Sequence, residues 1–227
     1  MPTWDVLVKM NGPTGRGKRT VKLNPARSRR NDPEGLRGRV LDAAAVLFQT
    51  QGYHATGMRD VLHATGISSG ALHHHFPTKD ALALAVITDR VAPVVRETWI
   101  DPLRTASSVT QGVRQVFRDI IAGIERRGSV AGCPLNNLAM ELSFSNPGFR
   151  ESLQAIFQEW QTSLAARIRE TKGGARLDRN KCAAAAAFII ATYSGAMNLA
   201  KTTQSASPLR DAATHLYSWL EERGFAQ

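Results

Sequence analysis

The chain has 227 residues, of which 43% are apolar and 21% charged, a composition typical of a globular protein of one or two domains with a substantial core. No run of about 18 or more residues is apolar throughout, and no apolar segment follows the basic N-terminus, so we expect neither a membrane-spanning helix nor a secretory signal. Two cysteines, Cys133 and Cys182, are too few for a disulfide framework or a structural zinc site and suit a reducing cytoplasm.

The positive charge is concentrated at the N-terminus. Residues 1–30 contain eight basic side chains and one acidic one, so they carry +7 of the formal net charge of +10. This segment is also rich in Gly, Pro, Asn and Thr and has no helical periodicity. We predict a disordered extension over residues 1–34. It is either an arm that adds non-specific phosphate contacts or an extension without function, including one created by a start codon assigned too early.

Helical patterns begin at Leu36, and the first helix is expected to end at Gly52, where a left-handed backbone costs least. Two short helices are predicted next, over about residues 58–65 and residues 69–75. Pro77 ends the third helix. The natural N-cap residues of the third and fourth helices are Ser68 and Thr78.

The rest of the chain has broader apolar faces at helical spacing and no strand-like alternation. The helices are expected to include residues 109–124, 149–168 and 183–200, with a last helix opened by Ser207 and Pro208. The sequence thus predicts an all-α protein with a small N-terminal helical unit and a larger C-terminal helical body. The predicted boundaries are 1–34 for the extension, 35–82 for the first domain and 83–227 for the second.

Two short helices joined by a tight turn are the helix-turn-helix motif. Gly66 can adopt the conformation of the corner, and the side chains placed to pack the two helices across each other are Val61, Leu62, Ile67 and Leu72. The residues left facing outward on the second of these helices are Ser69, Gly70, Ala71, His73 and His74.

Residues 37–82 resemble the DNA-binding domain of the TetR family of bacterial transcriptional regulators. The resemblance is carried by QGY at residues 51–53, ATGMRDV at 55–61 and TGISSGALHHHFPTKDAL at 65–82. A weaker resemblance, in GCPLNNLAMEL at 132–142 and FRESLQAIFQEW at 149–160, is to a subgroup that responds to lipophilic or aromatic compounds.

The resemblance implies an all-α fold with an N-terminal three-helix helix-turn-helix DNA-binding domain and a larger C-terminal helical ligand-binding and dimerisation domain. It also implies a homodimer that binds a palindromic operator, usually as a repressor, and is released when a small molecule occupies the larger domain. The family's DNA-contacting positions, together with Gly70 on the outward face, give the expected DNA-binding residues. These are Thr56, Gly57, Ser68, Ser69, Gly70, Ala71, His73, His74 and Lys79. The family commonly has lysine, threonine and tyrosine where this chain has Ser69, Ala71 and His73, so the operator sequence does not follow. The imidazole of His73 can still donate to a phosphate or a base edge.

The run His73, His74 and His75 is not expected to bind a metal. Successive helical side chains point about 100° apart, and a helical metal site needs histidines four residues apart. We expect His73 and His74 on the surface or in the DNA groove and His75 partly buried. Neither a metal nor a cofactor is expected.

Aromatic and methionine side chains on the helices of the larger domain are either ordinary core or the lining of an apolar pocket with polar anchors. The candidate ligand-binding residues are Trp99, Phe117, Asn136, Asn137, Met140, Phe144, Phe157, Trp160, Tyr193 and Met197. Residues 181–200 and 208–223 are expected to form a four-helix dimer interface.

Two other functions compete with a ligand-responsive repressor. One is an all-α enzyme or carrier for lipophilic molecules, which lacks support because the chain has no catalytic motif or metal-ligand spacing. The other is a DNA-binding protein without an effector. We expect a cytoplasmic regulator that binds double-stranded DNA and a small-molecule effector, with no enzymatic activity.

Overall fold

The computed structural model describes residues 33–226, in which helices are joined by short turns and no β-strand occurs. The predicted all-α fold is confirmed. The extension predicted over residues 1–34 lies outside the described residues except for its last two.

Eleven α-helices occur in the described range, and the short helices on both sides of residue 90 are linked by π-helical segments. The α-helices are α1 (Pro33–Gln51), α2 (Met58–Thr65), α3 (Ser69–His75), α4 (Lys79–Val86), α5 (Ala92–Val95), α6 (Asp101–Thr105), α7 (Val109–Arg127), α8 (Pro134–Leu142), α9 (Pro147–Arg169), α10 (Arg179–Thr203) and α11 (Ser207–Glu222). The π-helical segments are Ile87–Val91 and Arg96–Ile100, and a 3₁₀ turn covers Gly174–Arg176.

The chain divides into two compact units, one up to Arg90 and one from Val91. The division lies inside the π-helical segment Ile87–Val91, later than the boundary expected after Leu82. Two ion pairs explain why the intervening residues belong to the first unit. Arg37 Nη2 lies 2.7 Å from Asp89 Oδ2, and Arg90 Nε lies 2.6 Å from Asp42 Oδ1. Helix α1 and this segment therefore each supply one arginine and one aspartate to the two ion pairs that join them.

The core of the first unit is built on the apolar face of α1. Val40, Leu41 and Phe48 are buried there. They are covered by α2 and α4, the two helices that α1 contacts most. Gly52 has a φ of 88°, which turns the chain sharply after α1 and confirms the predicted end of that helix.

The second unit is a bundle in which α10 packs between α9 and α11, and α11 packs on α7. Its centre is an aromatic cluster defined by Trp99, Phe117, Trp160 and Tyr193. The ring centroid of Trp99 lies 4.9 Å from that of Trp160 and 4.8 Å from that of Tyr193. These tilted and edge-on contacts are the arrangement that aromatic rings favour in cores.

One helix in the described range, α10, is long and apolar enough to cross a membrane by length and composition alone. Such a helix is weak evidence for a membrane span, since the core helix of a bundle meets the same criteria. In α10, one face is buried against α9 and α11 and carries Cys182, Ile189 and Tyr193. The remaining face is exposed and carries both small residues, such as Ala184, and the large apolar side chains of Phe188 and Leu199.

The last described residues are built into the second unit. Gly224 has a φ of 71°, and the Phe225 N–H donates to Leu220 O over 3.0 Å, which together form a Schellman-type end to α11. The Gly224 carbonyl accepts from the Gly173 N–H over 3.1 Å, while the Phe225 carbonyl accepts from the Thr110 N–H over 3.4 Å. A Cβ atom at Gly173 would lie 1.8 Å from Arg223 O, so only glycine permits this approach.

Candidate nucleic-acid interface and ligand groove

The helix-turn-helix motif has the local structure that its sequence predicts. At the start of α2, Gly57 is the N-cap, and its N–H donates to Asp60 Oδ2 over 2.7 Å. At the other end, Gly66 has a φ of 68° and donates its N–H to Leu62 O. The left-handed glycine directs the chain into α3 across the preceding helix.

Helix α3 is anchored on one side and exposed on the other. Ser68 is its N-cap, with the side-chain Oγ accepting from the Ala71 N–H over 3.2 Å. Leu72 is fully buried and holds the helix in the core of the first unit. The α3 face, which we define as Ser69, Gly70, His73 and His74, is exposed, while Ala71 and His75 are half-buried.

The position of Thr56 differs from the role expected for it. Its side chain is only 1% exposed, and its hydroxyl donates to Gly52 O over 2.8 Å. Its backbone N–H donates to Tyr53 O. Both donor groups of Thr56 therefore stabilise the turn between α1 and α2, and its side chain does not reach a DNA-facing surface.

Lys79 lies at the start of α4, over the ring of Tyr53. Its Nζ is 4.0 Å from the ring centroid and 3.5 Å from His54 O. The Tyr53 hydroxyl donates to Asp80 Oδ1 over 2.5 Å. Burial and the adjacent Asp80 carboxylate raise the pKa of Tyr53, so the phenol stays protonated and continues to donate at neutral pH.

The cationic groups of the first unit are only partly available to DNA. Arg37 and Arg90 are used in the two ion pairs that join α1 to the chain after α4. Arg59 on α2 is exposed, and Lys79 is half-exposed. Among the described residues of this unit, few cations are therefore left outside ion pairs.

The second unit contains an open groove of about 690 Å³ between α8, α9 and α10. Six of the predicted ligand-binding residues line it: Asn136, Asn137, Met140, Phe144, Phe157 and Met197. Met140 and Phe144 are 81% and 100% exposed. An apolar wall with a few amides and hydroxyls is typical of a small-molecule site.

The other four predicted ligand-binding residues lie elsewhere. Trp99, Phe117, Trp160 and Tyr193 form the buried aromatic cluster and do not line the groove. The sequence could not separate the two sets, because aromatic side chains at helical spacing are equally compatible with a core and with a pocket wall.

The groove also contains polar residues that sequence reasoning missed, among them Gln161, Ser194 and Lys201. A signal for two of them was present in the sequence. Ser194 precedes Met197 by three positions and Lys201 follows it by four, so all three lie on one face of α10.

The thiol of Cys133 lies at the edge of the groove and is buried. Burial raises its pKa, which keeps the thiol protonated and lowers its nucleophilicity. The pKa of Tyr193 is raised mainly by burial and, to a lesser extent, by the neighbouring Cys133. Within residues 33–226, no group of three or more His, Cys, Asp or Glu side chains is placed to hold a metal ion.

Both units match known families. Residues 40–86 match "Bacterial regulatory proteins, tetR family", and residues 109–215 match "Transcriptional regulator LmrA/YxaF-like, C-terminal domain". The chain is similar to the HTH-type transcriptional regulator LmrA of Bacillus subtilis (strain 168), with 26% identity over 174 residues, 76% of this chain and 90% of LmrA. It is also 25% identical over 191 residues to the HTH-type transcriptional repressor DhaR of Mycobacterium sp. (strain GP1), covering 82% and 92% of the two chains.

Among solved structures, a TetR transcriptional regulator from Chloroflexus aurantiacus J-10-FL superposes with a TM-score of 0.71 and 32% identity. The match covers 83% of this chain and 96% of that regulator. The chain belongs to the TetR family. It is a DNA-binding transcriptional regulator with a helix-turn-helix domain, and not an enzyme.

Proposed function

We propose that this regulator is a cytoplasmic, homodimeric repressor that binds a palindromic operator and leaves it when a small lipophilic or aromatic molecule occupies the groove. The observation that carries the proposal is the exposed α3 face on a helix fixed by the buried Leu72. A fixed helix with a free polar face is what entry into the major groove requires.

The proposed DNA contacts divide into two kinds. Ser69, Gly70 and Ala71 have small side chains, which allow the start of α3 to come close to base edges, while His73 and His74 donate hydrogen bonds from imidazole nitrogens. Gly57, Ser68 and Lys79 would position the unit on the phosphates. Thr56 contributes by holding the turn before α2 and not by touching DNA.

The proposed dimer interface is the exposed face of α10 together with α11. Ala184 is small and exposed on that face, and Ala191 and Gly195, which also line the groove, mark its boundary. Leu199 and Phe188 are 59% and 46% exposed, and Phe188 packs on Trp219 of α11 with ring centroids 4.6 Å apart. Small residues allow helices to approach closely, and covering this face in a two-fold dimer removes apolar surface from water.

The proposed regulation is a shift between two conformations of the dimer. In one conformation, the spacing between the two α3 helices of the dimer does not match the spacing of the operator half-sites. A ligand that binds this conformation better would lower operator affinity. The groove supplies a site for such a ligand, and the designation of the relative DhaR as a repressor supports the direction of control.

DNA recognition is tested by selecting bound duplexes from fragmented genomic DNA and measuring their affinity. We expect a palindromic site and a loss of affinity of roughly 10-fold or more in His73→Ala/His74→Ala, which removes two base-edge contacts. The control is Gln154→Ala, an exposed residue on α9 outside the proposed interface. Equal affinity for all duplexes, or no effect of the double substitution, would contradict the proposal.

The dimer is tested by light scattering coupled to size-exclusion chromatography. Leu199→Glu introduces a charge into the proposed interface and should give a monomer at micromolar concentration. Ala155→Glu introduces the same charge on the exposed face of α9 and should remain dimeric. A wild-type monomer, or a dimer unaffected by Leu199→Glu, would disprove this interface.

A further inference from the structure

The wall of the groove carries a single formal charge. Its lining contains amides, hydroxyls, a thiol and apolar side chains, and Lys201 is the one residue among them that is charged at neutral pH. No aspartate or glutamate lines the groove. A ligand in the groove therefore meets one formal charge on the wall, the Lys201 ammonium group.

Lys201 is held in place on the groove wall. Its Nζ donates to Asn137 Oδ1 over 3.0 Å, and Asn137 Nδ2 donates to Ala131 O over 3.0 Å, which directs the amide oxygen toward the lysine. Gly132, with a φ of 87°, packs against the lysine stem, since a Cβ at that position would lie 2.9 Å from Lys201 Cδ. The ammonium position is thus fixed by Asn137 on α8 and by the loop before that helix.

The ammonium group lacks a counterion. Within residues 33–226, Lys201 forms no ion pair, and the acceptor it contacts is a neutral amide oxygen. The side chain is half-buried, so part of its hydration is removed without a compensating negative charge. A ligand that brings a negative charge to this point would gain more than a neutral ligand of the same shape.

We infer that the groove binds amphipathic organic anions, with the apolar or aromatic body against Met140, Phe144, Phe157 and Met197 and a carboxylate, sulfonate or acidic phenol on Lys201. This inference rests on the proposed role of the groove as the effector site and specifies the chemical class of the effector. The body of the ligand supplies affinity through burial of apolar area, and Lys201 selects the charge and the orientation.

The test uses two fluorescent probes that share an anilinonaphthalene body. One is 8-anilinonaphthalene-1-sulfonate, which is anionic, and the other is N-phenyl-1-naphthylamine, which is neutral. The full chain should bind one anionic probe per protomer, with an affinity at least 5-fold higher than that for the neutral probe. Lys201→Met keeps the aliphatic stem and should weaken the anionic probe about 10-fold while changing the neutral probe less than 2-fold.

Two further variants separate charge from folding. Asn136→Asp places a negative charge in the groove and preserves the acceptor for the Ser194 hydroxyl, 3.4 Å away, so it should also weaken the anionic probe selectively. Lys181→Met, near the opposite end of α10, removes an exposed lysine that pairs with Asp178 and should bind both probes like the wild type.

The outcomes distinguish this inference from the proposed function. The assignment of Lys201 would be overturned if Lys201→Met lowered the affinity for both probes equally. It would also be overturned if Lys201→Met bound the anionic probe as tightly as the wild type. Absence of binding for both probes, as expected if a second copy of the chain covers the groove, would overturn it as well. If the anionic probe binds through Lys201 but leaves operator affinity unchanged, the ligand class is supported and the proposed role of the groove in DNA release is wrong.

Discussion

The hydroxyl of Tyr53 donates a hydrogen bond to the carboxylate of Asp80 over 2.5 Å, joining the turn after α1 to the first turn of α4. The same ring lies under the ammonium of Lys79. One tyrosine thus connects the end of α1 with the two residues that begin α4. Its removal affects both the stability of the first unit and the placement of Lys79.

Tyr53→Phe should destabilise the first unit by about 1 kcal/mol, since a hydrogen bond to a charged acceptor is lost while the ring is retained. The measurement is amide hydrogen exchange over residues 40–86, which reports the opening of this unit separately from the rest. The matched control is Tyr217→Phe, because the Tyr217 hydroxyl has no hydrogen-bond partner within the described residues. Equal protection in Tyr53→Phe and wild type would show that the bond contributes nothing.

Gly66→Ala and Gly70→Ala should change stability in opposite directions. A Cβ meets no atom within 4 Å at either position, so sterics are the same. Gly66 has a φ of 68°, where an alanine costs about 1 kcal/mol. Gly70 lies in α3, where alanine stabilises the helix by roughly 0.5–1 kcal/mol.

The two glycine variants are compared by urea denaturation and by operator binding. We expect Gly70→Ala to weaken DNA binding despite its gain in stability, because the added methyl group stands between α3 and the bases. Unchanged operator affinity in Gly70→Ala would mean that the start of α3 does not approach DNA closely.

Lys79→Met should weaken operator binding and reduce the slope of log affinity against log salt by about 1, as expected for the loss of one phosphate contact. The methionine keeps an unbranched side chain over the Tyr53 ring. Lys172→Met, an exposed lysine in the second unit, serves as the control. A lower affinity with an unchanged slope would indicate that Lys79 acts through the fold and not through a phosphate.

Deletion of residues 1–30 should weaken operator binding and flatten its salt dependence, if these residues form an arm. The eight basic side chains are the reason, since each cation that neutralises a phosphate releases a counterion. A full-length variant with these eight residues changed to glutamine tests whether charge or length matters. An unchanged salt slope in both proteins would favour the interpretation of this segment as an extension without a role in DNA binding.

The sequence predicted the first unit in detail because its helices begin and end at residues whose own side chain or backbone preference determines the boundary. Ser68 and Thr78 cap helices, Gly66 makes the corner, and Leu72 faces the core, as the sequence indicated. The place of Thr56 could not be predicted, because a threonine before a helix is compatible with a cap, a DNA contact or a turn. In the structure its hydroxyl donates to the Gly52 carbonyl within the turn.

The groove was harder to predict because its walls come from three helices that are distant in sequence. The helical faces of α9 and α10 were visible in the sequence and α8 was not predicted. The division between the aromatic cluster and the groove depends on how the helices rotate against each other. Lys201 shows the same limit. Its spacing from Met197 was readable, but its missing counterion is a property of the packed structure.

The closure of the chain around Gly173, Gly224 and Phe225 has a practical consequence for anyone who shortens this protein. Trimming the final four residues would take away a fully enclosed phenyl ring and two main-chain links, exposing the junction of three helices. A shortened protein that no longer regulates would have lost the stability of its second unit. That result could be mistaken for evidence that the C-terminal residues contact DNA or a partner.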